Sequence, residues 1–232
     1  MRLDKFIRKS TELTKAEAVQ RINRGKVSIN GKFITNEAAQ VHENNTVKLN
    51  KVKLKARKFR YLMMNKPAGT ICSNIDEVYP SLFNHLRINH IAELHIAGRL
   101  DADTTGMVLI TDDGRWSKGI THPSKECRKV YRVGLSKAIA DDVACKFEKG
   151  VQLQGEENLT LPAVLEVIGS KEVLLTITEG KFHQVKRMFA AVGNRVVSLH
   201  REKIGEICLD VDVGQWRYLT NDEVQSFTKQ IR

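Results

Sequence analysis

The chain has few cysteines, few prolines and no long apolar run, and each shortage excludes a class of protein. Four cysteines in 232 residues, none in a Cys-x-x-Cys pair, favour neither a disulfide framework nor a zinc site. Four prolines and no long polar tract argue against extended disorder. No stretch approaches the ~20 apolar residues of a membrane-spanning helix, and no signal-peptide core follows the basic N-terminus. The sequence therefore predicts a cytoplasmic globular protein with reduced thiols and no membrane partner.

Positive charge is abundant but unevenly distributed. The net charge is +11, and residues 1–58 hold fifteen Lys and Arg against five Asp and Glu. The rest of the chain is nearly balanced, with 23 bases and 22 acids. This asymmetry predicts two units, of which the first binds a polyanion.

Local signals in the first 49 residues predict a small α+β module. Leu3, Phe6 and Ile7 have the spacing of one helical face. Residues 14–17, Thr-Lys-Ala-Glu, form a capping-box pattern that opens a second helix. Asn30-Gly31 sits between alternating residues, which indicates a hairpin, and a further short strand is expected at 47–49.

The order of these elements resembles the S4 RNA-binding domain, over about residues 1–49. The resemblance implies that basic side chains on the second helix and the following hairpin contact RNA phosphates. The residues implicated are Arg2, Lys5, Lys15, Arg21, Arg24 and Lys26. The alternative is a basic surface that is merely solvated. Residues 50–58 are rich in lysine, and their alternating basic and apolar residues fit a strand end or a tether. We place the domain boundary there and predict a basic linker that adds salt-sensitive RNA affinity.

An acidic segment stands out in this basic chain: GRLDADTTGMVLITDDG, residues 98–114. Asp112 and Asp113 precede Gly114 and are expected to form an ordinary turn. Asp101 and Asp103 allow three hypotheses: a structural turn, the nucleophile loop of a haloacid-dehalogenase-type phosphatase, or a catalytic carboxylate in an RNA-binding cleft. The hydrophobic strand that such phosphatases place directly before the first Asp is missing here. A carboxylate that faces phosphates is unfavourable, which favours a chemical role.

The same segment is similar to the signature of a family of pseudouridine synthases that modify ribosomal RNA and carry an N-terminal S4 domain. The pattern is Gly-Arg-Leu-Asp-x-x-Thr-Thr-Gly, followed by apolar residues and Thr-x-Asp-Gly. The resemblance implies that Asp101 is the catalytic residue and that Asp103 has a supporting or a structural role. A second segment, KVYRV at 129–133, matches the family's Lys-x-Tyr strand and implies that Tyr131 stacks on the target base. A tyrosine in a strand core is the alternative reading of Tyr131.

A third segment, residues 179–205, also resembles the family. Phe182, Val185, Phe189 and Val192 have the spacing of an apolar helical stripe. Lys186 lies off that stripe, where many relatives have an arginine that pairs with the catalytic Asp. The neighbouring Arg187 is an alternative partner, so the sequence leaves that pairing open. The resemblance further implies RNA-binding or base-flipping roles for Arg99, Arg187, His183, Thr104 and Thr105.

These segments together predict an α+β protein. Residues 1–49 form the S4-like domain, 50–58 the linker, and 59–232 a catalytic domain with a mixed, mainly antiparallel sheet. Asp101, Tyr131 and Lys186 are expected to converge in one cleft. The implied reaction is the isomerisation of one uridine in small-subunit (16S) ribosomal RNA, as naked RNA or in an assembly intermediate, by a monomer without cofactor or metal. The alternatives are a synthase for large-subunit RNA and a non-catalytic RNA-binding or ribosome-assembly factor.

Deleting residues 1–58 should weaken RNA binding and flatten its salt dependence. Each phosphate contact contributes about −0.7 to the slope of log K against log salt for single-stranded RNA. The measurement is fluorescence anisotropy with a ribosomal RNA fragment at several salt concentrations. An unchanged slope in a truncated chain that keeps its circular dichroism spectrum would show that the basic module does not touch phosphates.

Overall fold

The computed structural model describes residues 1–228 and divides the chain into two units. The first unit spans Met1–Lys58 and the second begins at Phe59. None of the helices in the described part combines the length and the apolar character needed to cross a membrane.

The first unit is a two-helix module with a small sheet. Its elements are α1 (Leu3–Ser10), α2 (Lys15–Asn23), β1 (Val27–Ile29), β2 (Lys32–Phe33), β3 (Val47–Leu49) and β4 (Val52–Lys53). The sheet order is β2-β1-β3-β4, and every pairing is antiparallel. Asn30 and Gly31 have φ angles of 50° and 87°, as a two-residue hairpin turn with positive φ at both positions requires. The apolar residues of both helices and of β1 and β3 form one core under this sheet.

Residues 50–58 are not a tether in the structure. β4 pairs with β3, and Leu54 packs against the core of the first unit. The Arg57 guanidinium donates to the carbonyls of Arg8, at 2.8 Å, and Thr11, at 3.2 Å. Both residues of β4 are exposed, and Leu54 directly after it packs on the core, so this lysine-rich stretch is a strand end of the first unit.

The second unit is built on one large sheet. Its elements are β5 (Tyr61–Lys66), β6 (His95–Ala97), β7 (Thr105–Thr111), α3 (Gly114–Thr121), β8 (Lys129–Leu135), α4 (Val143–Lys149), β9 (Val164–Gly169), β10 (Glu172–Ile177), α5 (Gln184–Ala191), β11 (Val196–Ile204), β12 (Ile207–Cys208), β13 (Trp216–Tyr218) and α6 (Asn221–Thr228). Within the described residues the main path of the sheet is β13-β5-β7-β11-β8-β10-β9, with β6 beside β7 and β12 beside β11. Only the β7–β11 pair is parallel, so the mixed, mainly antiparallel sheet that we predicted is confirmed.

Both faces of β5 and β7 are buried, which explains why these two strands read as mainly apolar runs. Along β7, Val108 and Ile110 point into the larger core, together with Val185 and Phe189 of α5. The alternate residues Met107 and Leu109 point to the other face, where Trp116 of α3 and Phe227 of α6 cover them. The period-two alternation of a strand therefore divides one apolar run between two cores.

Two details differ from the sequence prediction. Phe182 is not part of the helical stripe, because α5 begins only at Gln184 and His183 before it has a left-handed backbone, with φ 49°. Asp112 is not an ordinary turn residue: its carboxylate is buried and accepts from Arg60 at 3.1 Å. Its neighbour Asp113 caps α3 by accepting from the backbone N–H groups of Arg115 and Trp116.

Gly106 allows the parallel pairing of β7 with β11. Its φ is +105°, and a Cβ added there would lie 2.3 Å from the carbonyl oxygen of Arg201. Only glycine combines this backbone conformation with so close an approach of a second main chain.

Gly106→Ala should therefore destabilise the second unit by about 3 kcal/mol or more, since strain and a backbone clash add together. The measurement is urea denaturation followed by tryptophan fluorescence, because Trp116 and Trp216 both lie in this unit. Gly114→Ala is the control: no atom lies within 4 Å of its added Cβ, and it begins α3. An equally stable Gly106→Ala protein would contradict the requirement for close strand approach.

Candidate active site

A pocket of about 170 Å³ lies over strands β11, β8 and β10, between the segment 98–104 and the start of α5. It gathers side chains that are far apart in the sequence. Its polar lining includes Arg99, Asp101, Thr104, Lys129, Tyr131, Lys181, His183, Lys186 and Arg201. The structure therefore brings Asp101, Tyr131 and Lys186 together in one cavity, as expected.

A buried lysine holds the turn that carries Asp101. The ammonium of Lys66, at the end of β5, donates to the carbonyls of Pro67 (3.0 Å), Ala102 (3.2 Å) and Thr104 (2.8 Å). The turn itself closes through the Thr104 N–H, which donates to the Asp101 carbonyl at 3.2 Å. Burial lowers the pKa of Lys66, and the nearby carboxylates of Asp101 and Asp103 oppose that shift. The charge of Lys66 thus fixes the backbone on both sides of the acidic turn.

Lys186, in the first turn of α5, pairs with both carboxylates of that turn. Its Nζ lies 3.1 Å from Oδ2 of Asp101 and 2.6 Å from Oδ1 of Asp103. The hydrogen bond from Lys186 lowers the pKa of Asp103. Burial alone would lower the pKa of Lys186, but its hydrogen bonds to Asp103 and Asp101 outweigh burial and raise that pKa. The ammonium therefore stays charged and aims the Asp101 carboxylate at the pocket.

The structure distinguishes the two candidate partners of Asp101. Arg187 points elsewhere: its Nη1 pairs with Glu156 at 3.0 Å and donates to the Phe182 carbonyl at 3.0 Å. Its Nη2 donates to the Gln154 carbonyl at 2.6 Å. Arg187 therefore secures the segment before α5 against the loop after α4, and it is Lys186 that contacts Asp101.

His183 and the two threonines have different environments. His183 Nε2 lies 3.4 Å from Asp101 Oδ1, at the mouth of the pocket. Thr104 lines the pocket and is buried, and its hydroxyl has no hydrogen-bond partner in residues 1–228. Thr105 instead contacts β11, where its hydroxyl lies 2.8 Å from the side-chain Nδ1 of His200. Arg99 is exposed at the rim.

Tyr131 is positioned by Arg201, a buried cation that the sequence analysis did not single out. Arg201 Nη1 donates to the Tyr131 hydroxyl at 3.2 Å, Nε to the Met107 carbonyl at 2.8 Å and Nη2 to the Gly98 carbonyl at 2.9 Å. The register between β11 and β8 shifts directly after Arg201, between residues 201 and 203. Such bulges re-aim side chains at functional sites. One guanidinium thus ties Tyr131 to the segment that leads into Asp101.

Three of the cations in or beside the pocket were missed as functional candidates: Lys66, Lys129 and Arg201. All are buried, and burial lowers the pKa of both lysines. Their signal in the sequence was a basic residue at a position that the strand pattern assigns to the interior. Burying a cation is costly, so buried lysines and arginines are rare in proteins. A basic residue at an interior strand position therefore suggests a functional role. In the described part of the chain no group of three or more His, Cys, Asp or Glu side chains could hold a metal ion.

The basic residues predicted for the first unit are mostly at its surface. Lys15, Arg21, Arg24 and Lys26 are exposed on and after α2. Arg2 is exposed as well, but its guanidinium is engaged with Asp4 at 3.0 Å. Lys5 is half-buried on α1. These exposed cations on and after α2 are therefore accessible to a polyanion.

A basic two-helix module, followed in the chain by a unit with a carboxylate pocket on a mixed sheet, fits an enzyme that acts on RNA. The comparisons with known proteins agree with this class. A family model described as RNA pseudouridylate synthase matches residues 60–191, and one described as S4 domain matches residues 1–47. The chain belongs to the RNA pseudouridylate synthase family and is a pseudouridine synthase with an S4 domain.

The similarity to individual relatives extends over the whole chain. The ribosomal small subunit pseudouridine synthase A of Vibrio cholerae is 48% identical over 231 residues, which cover 99% of this chain and 100% of the relative. The protein of the same name from Escherichia coli K12 is 48% identical over 97% of this chain and 99% of its own length. A crystal structure of a pseudouridylate synthase has a TM-score of 0.72 at 41% identity, covering 98% of this chain and 99% of that one.

Lys186→Met should raise the pKa of Asp103 toward its ordinary value of 3.8, because the hydrogen bond that lowers it is lost. In the unaltered protein this pair stabilises the fold above pH 3.8, and the contribution is lost as the pH falls through the lowered pKa. Carbon-13 NMR titration of the aspartate carboxyl groups measures the change.

The control for this titration is Lys146→Met, which removes the exposed Lys146–Asp142 pair on α4 and should leave Asp103 unaffected. An Asp103 carboxyl that titrates identically in the Lys186→Met protein would contradict the ion-pair geometry.

Proposed function

We propose that this chain converts one uridine of small-subunit ribosomal RNA to pseudouridine, with Asp101 as the catalytic carboxylate. The observation that carries the proposal is the Asp101–Lys186 ion pair of 3.1 Å in a pocket that also holds Tyr131. The names of the relatives that are 48% identical over nearly the full length support the small subunit as the source of the RNA.

The reaction is an isomerisation, so its atoms balance within the nucleotide. The bond between N1 of uracil and C1′ of the ribose breaks, the base turns, and C5 bonds to C1′. C5 loses a proton and N1 gains one. Asp101, kept ionised by Lys186, acts as a nucleophile or as a base in this sequence. No oxidant, reductant or group donor enters the overall change.

The pocket also suits the charge that develops during the reaction. When the glycosidic bond breaks, negative charge develops on the uracil. Lys129 and Arg201 lie buried in the pocket lining, and neither forms a salt bridge within residues 1–228. Fixed cations in a site of low dielectric stabilise such an anion without reorganisation. We assign to these two residues the stabilisation of the detached base.

The target uridine must leave its stack to reach Asp101, at a cost of about a few kcal/mol. Tyr131, held through its hydroxyl by Arg201, is placed to stack on the base in the pocket. Arg99 is exposed at the rim, where it is placed to contact a phosphate or to fill the space that the uridine leaves. Thr104 offers an unpartnered buried hydroxyl to the substrate.

The first unit supplies affinity that does not depend on sequence. Its exposed cations on and after α2 are placed to contact RNA phosphates, and they extend the binding surface of the enzyme beyond the target nucleotide. We propose that the enzyme acts as a cytoplasmic monomer on RNA or on an assembling small subunit, where the target region is still accessible.

Asp101→Asn should reduce pseudouridine formation on the order of 10⁴-fold or more while RNA binding is retained, because the neutral amide supplies neither nucleophile nor base. The measurement is carbodiimide treatment and primer extension along small-subunit ribosomal RNA after incubation with each purified protein. A single stop that only the unaltered protein produces locates the target.

Asp103→Asn is the matched control. Asp103 shares Lys186 with Asp101 but is much more exposed, and its loss should cost far less activity. Turnover by Asp101→Asn at the normal rate would reject Asp101 as the catalytic residue. A stop in large-subunit RNA alone would move the substrate to that subunit, and tight binding without any stop would favour a non-catalytic assembly factor.

A further inference from the structure

Phe182 is an exposed aromatic residue beside the pocket, and the function proposed above gives it no role. It is 73% exposed, more than any other aromatic side chain in residues 1–228. The sequence pattern had placed it inside a helix core. A large apolar ring left in water costs free energy, so a ring exposed beside a site for RNA suggests a ligand for that ring.

The ring of Phe182 is stacked on the imidazole of His183. The ring centroids are 3.8 Å apart and the planes differ by 22°. The imidazole thus covers one face of the phenyl ring and leaves the opposite face to solvent. His183 in turn contacts Asp101, with Nε2 3.4 Å from Oδ1. A continuous line of contacts therefore runs from the catalytic carboxylate through the imidazole to an open aromatic face.

The backbone that presents this ring is held firmly. His183 has a left-handed backbone, which a non-glycine residue keeps only where its surroundings enforce it. Arg187 fixes the Phe182 carbonyl at 3.0 Å, and Glu156 fixes Arg187 at 3.0 Å. The Lys181 N–H donates to the Gln184 side chain at 2.8 Å, which closes the turn. The ring is therefore exposed but pre-organised, as a binding platform requires.

We propose that Phe182 is the platform on which a base next to the target uridine stacks while the uridine occupies the pocket. The inference rests on the proposed function, since it needs a flipped uridine at Asp101. A nucleobase matches the open face because stacking needs only a flat π-surface, and it is worth a factor of about 5 to 150 per base. Arg99, which lines the same pocket and is exposed, suits an adjoining phosphate.

The test is a double-mutant cycle between the protein and the RNA. The unaltered enzyme and Phe182→Ala are each measured in single turnover on a synthetic RNA that spans the mapped uridine. The same measurements are repeated on RNAs in which the base on the 5′ side or on the 3′ side of the target is replaced by an abasic residue.

On intact RNA, Phe182→Ala should raise the half-saturating enzyme concentration about 5- to 150-fold. On one of the two abasic RNAs the unaltered enzyme should show the same loss, and Phe182→Ala should add nothing further. Phe182→Trp should retain the affinity of the unaltered enzyme, and Phe182→Leu, which keeps apolar volume without a ring, should not.

An equal effect of Phe182→Ala on all three RNAs would overturn the proposal, because the effect of a purely structural residue does not depend on the neighbouring base. Unchanged binding by Phe182→Ala would overturn it as well. The control is Tyr218→Ala, which removes an exposed aromatic from β13 at the far edge of the sheet and should change nothing. An unaltered enzyme that modifies no ribosomal RNA would instead reject the proposed function, and this inference with it.

Discussion

The active site depends on buried cations that are hydrogen-bonded to main-chain carbonyls rather than paired with acids. Burying an ammonium or a guanidinium is costly unless its donors are satisfied. Lys66 meets three carbonyls, and Arg201 meets two carbonyls and the Tyr131 hydroxyl. Neither forms a salt bridge in the described residues, so their positive potential is not cancelled locally. The same hydrogen bonds connect β5, β7, β8 and the Asp101 turn. They therefore hold the shape of the pocket and keep its positive electrostatic potential in place.

The few acidic residues near these cations have different partners and different roles. Asp101 and Asp103 share the ammonium of Lys186, whereas Glu156 pairs with Lys181 and Arg187. Glu156 thereby engages two cations that could otherwise compete with Lys186 for Asp101. Lys186 is therefore the lysine that contacts Asp101, and Arg187 beside it holds the segment before α5 in place.

The sequence predicted those parts of the fold that local chemistry determines. In the first unit, α1 follows from its apolar spacing, α2 from its capping box and the hairpin from Asn-Gly. In the second unit, β7 follows from its apolar run. The roles of Lys66 and Arg201 could not be read locally, because their partners lie up to 103 residues away. Phe182 was misplaced for a related reason. Its spacing fits a helical stripe, but the left-handed backbone of His183 begins α5 two residues later, and only tertiary contacts hold that backbone.

The parallel pairing of β7 with β11 affects the stage of synthesis at which the active site can form. Arg201 donates to the carbonyl of Met107, which lies 94 residues earlier in the chain, so this bond forms only after the Asp101 turn has been synthesised. Contacts of such sequence separation form slowly, since the loop between them must close first. The Asp101 turn, made early, has neither its Tyr131 clamp nor Lys186 until most of the second unit has left the ribosome. A nascent chain can therefore fold its basic module before the pocket exists, and the pocket stays incomplete until Lys186 and Arg201 have been made.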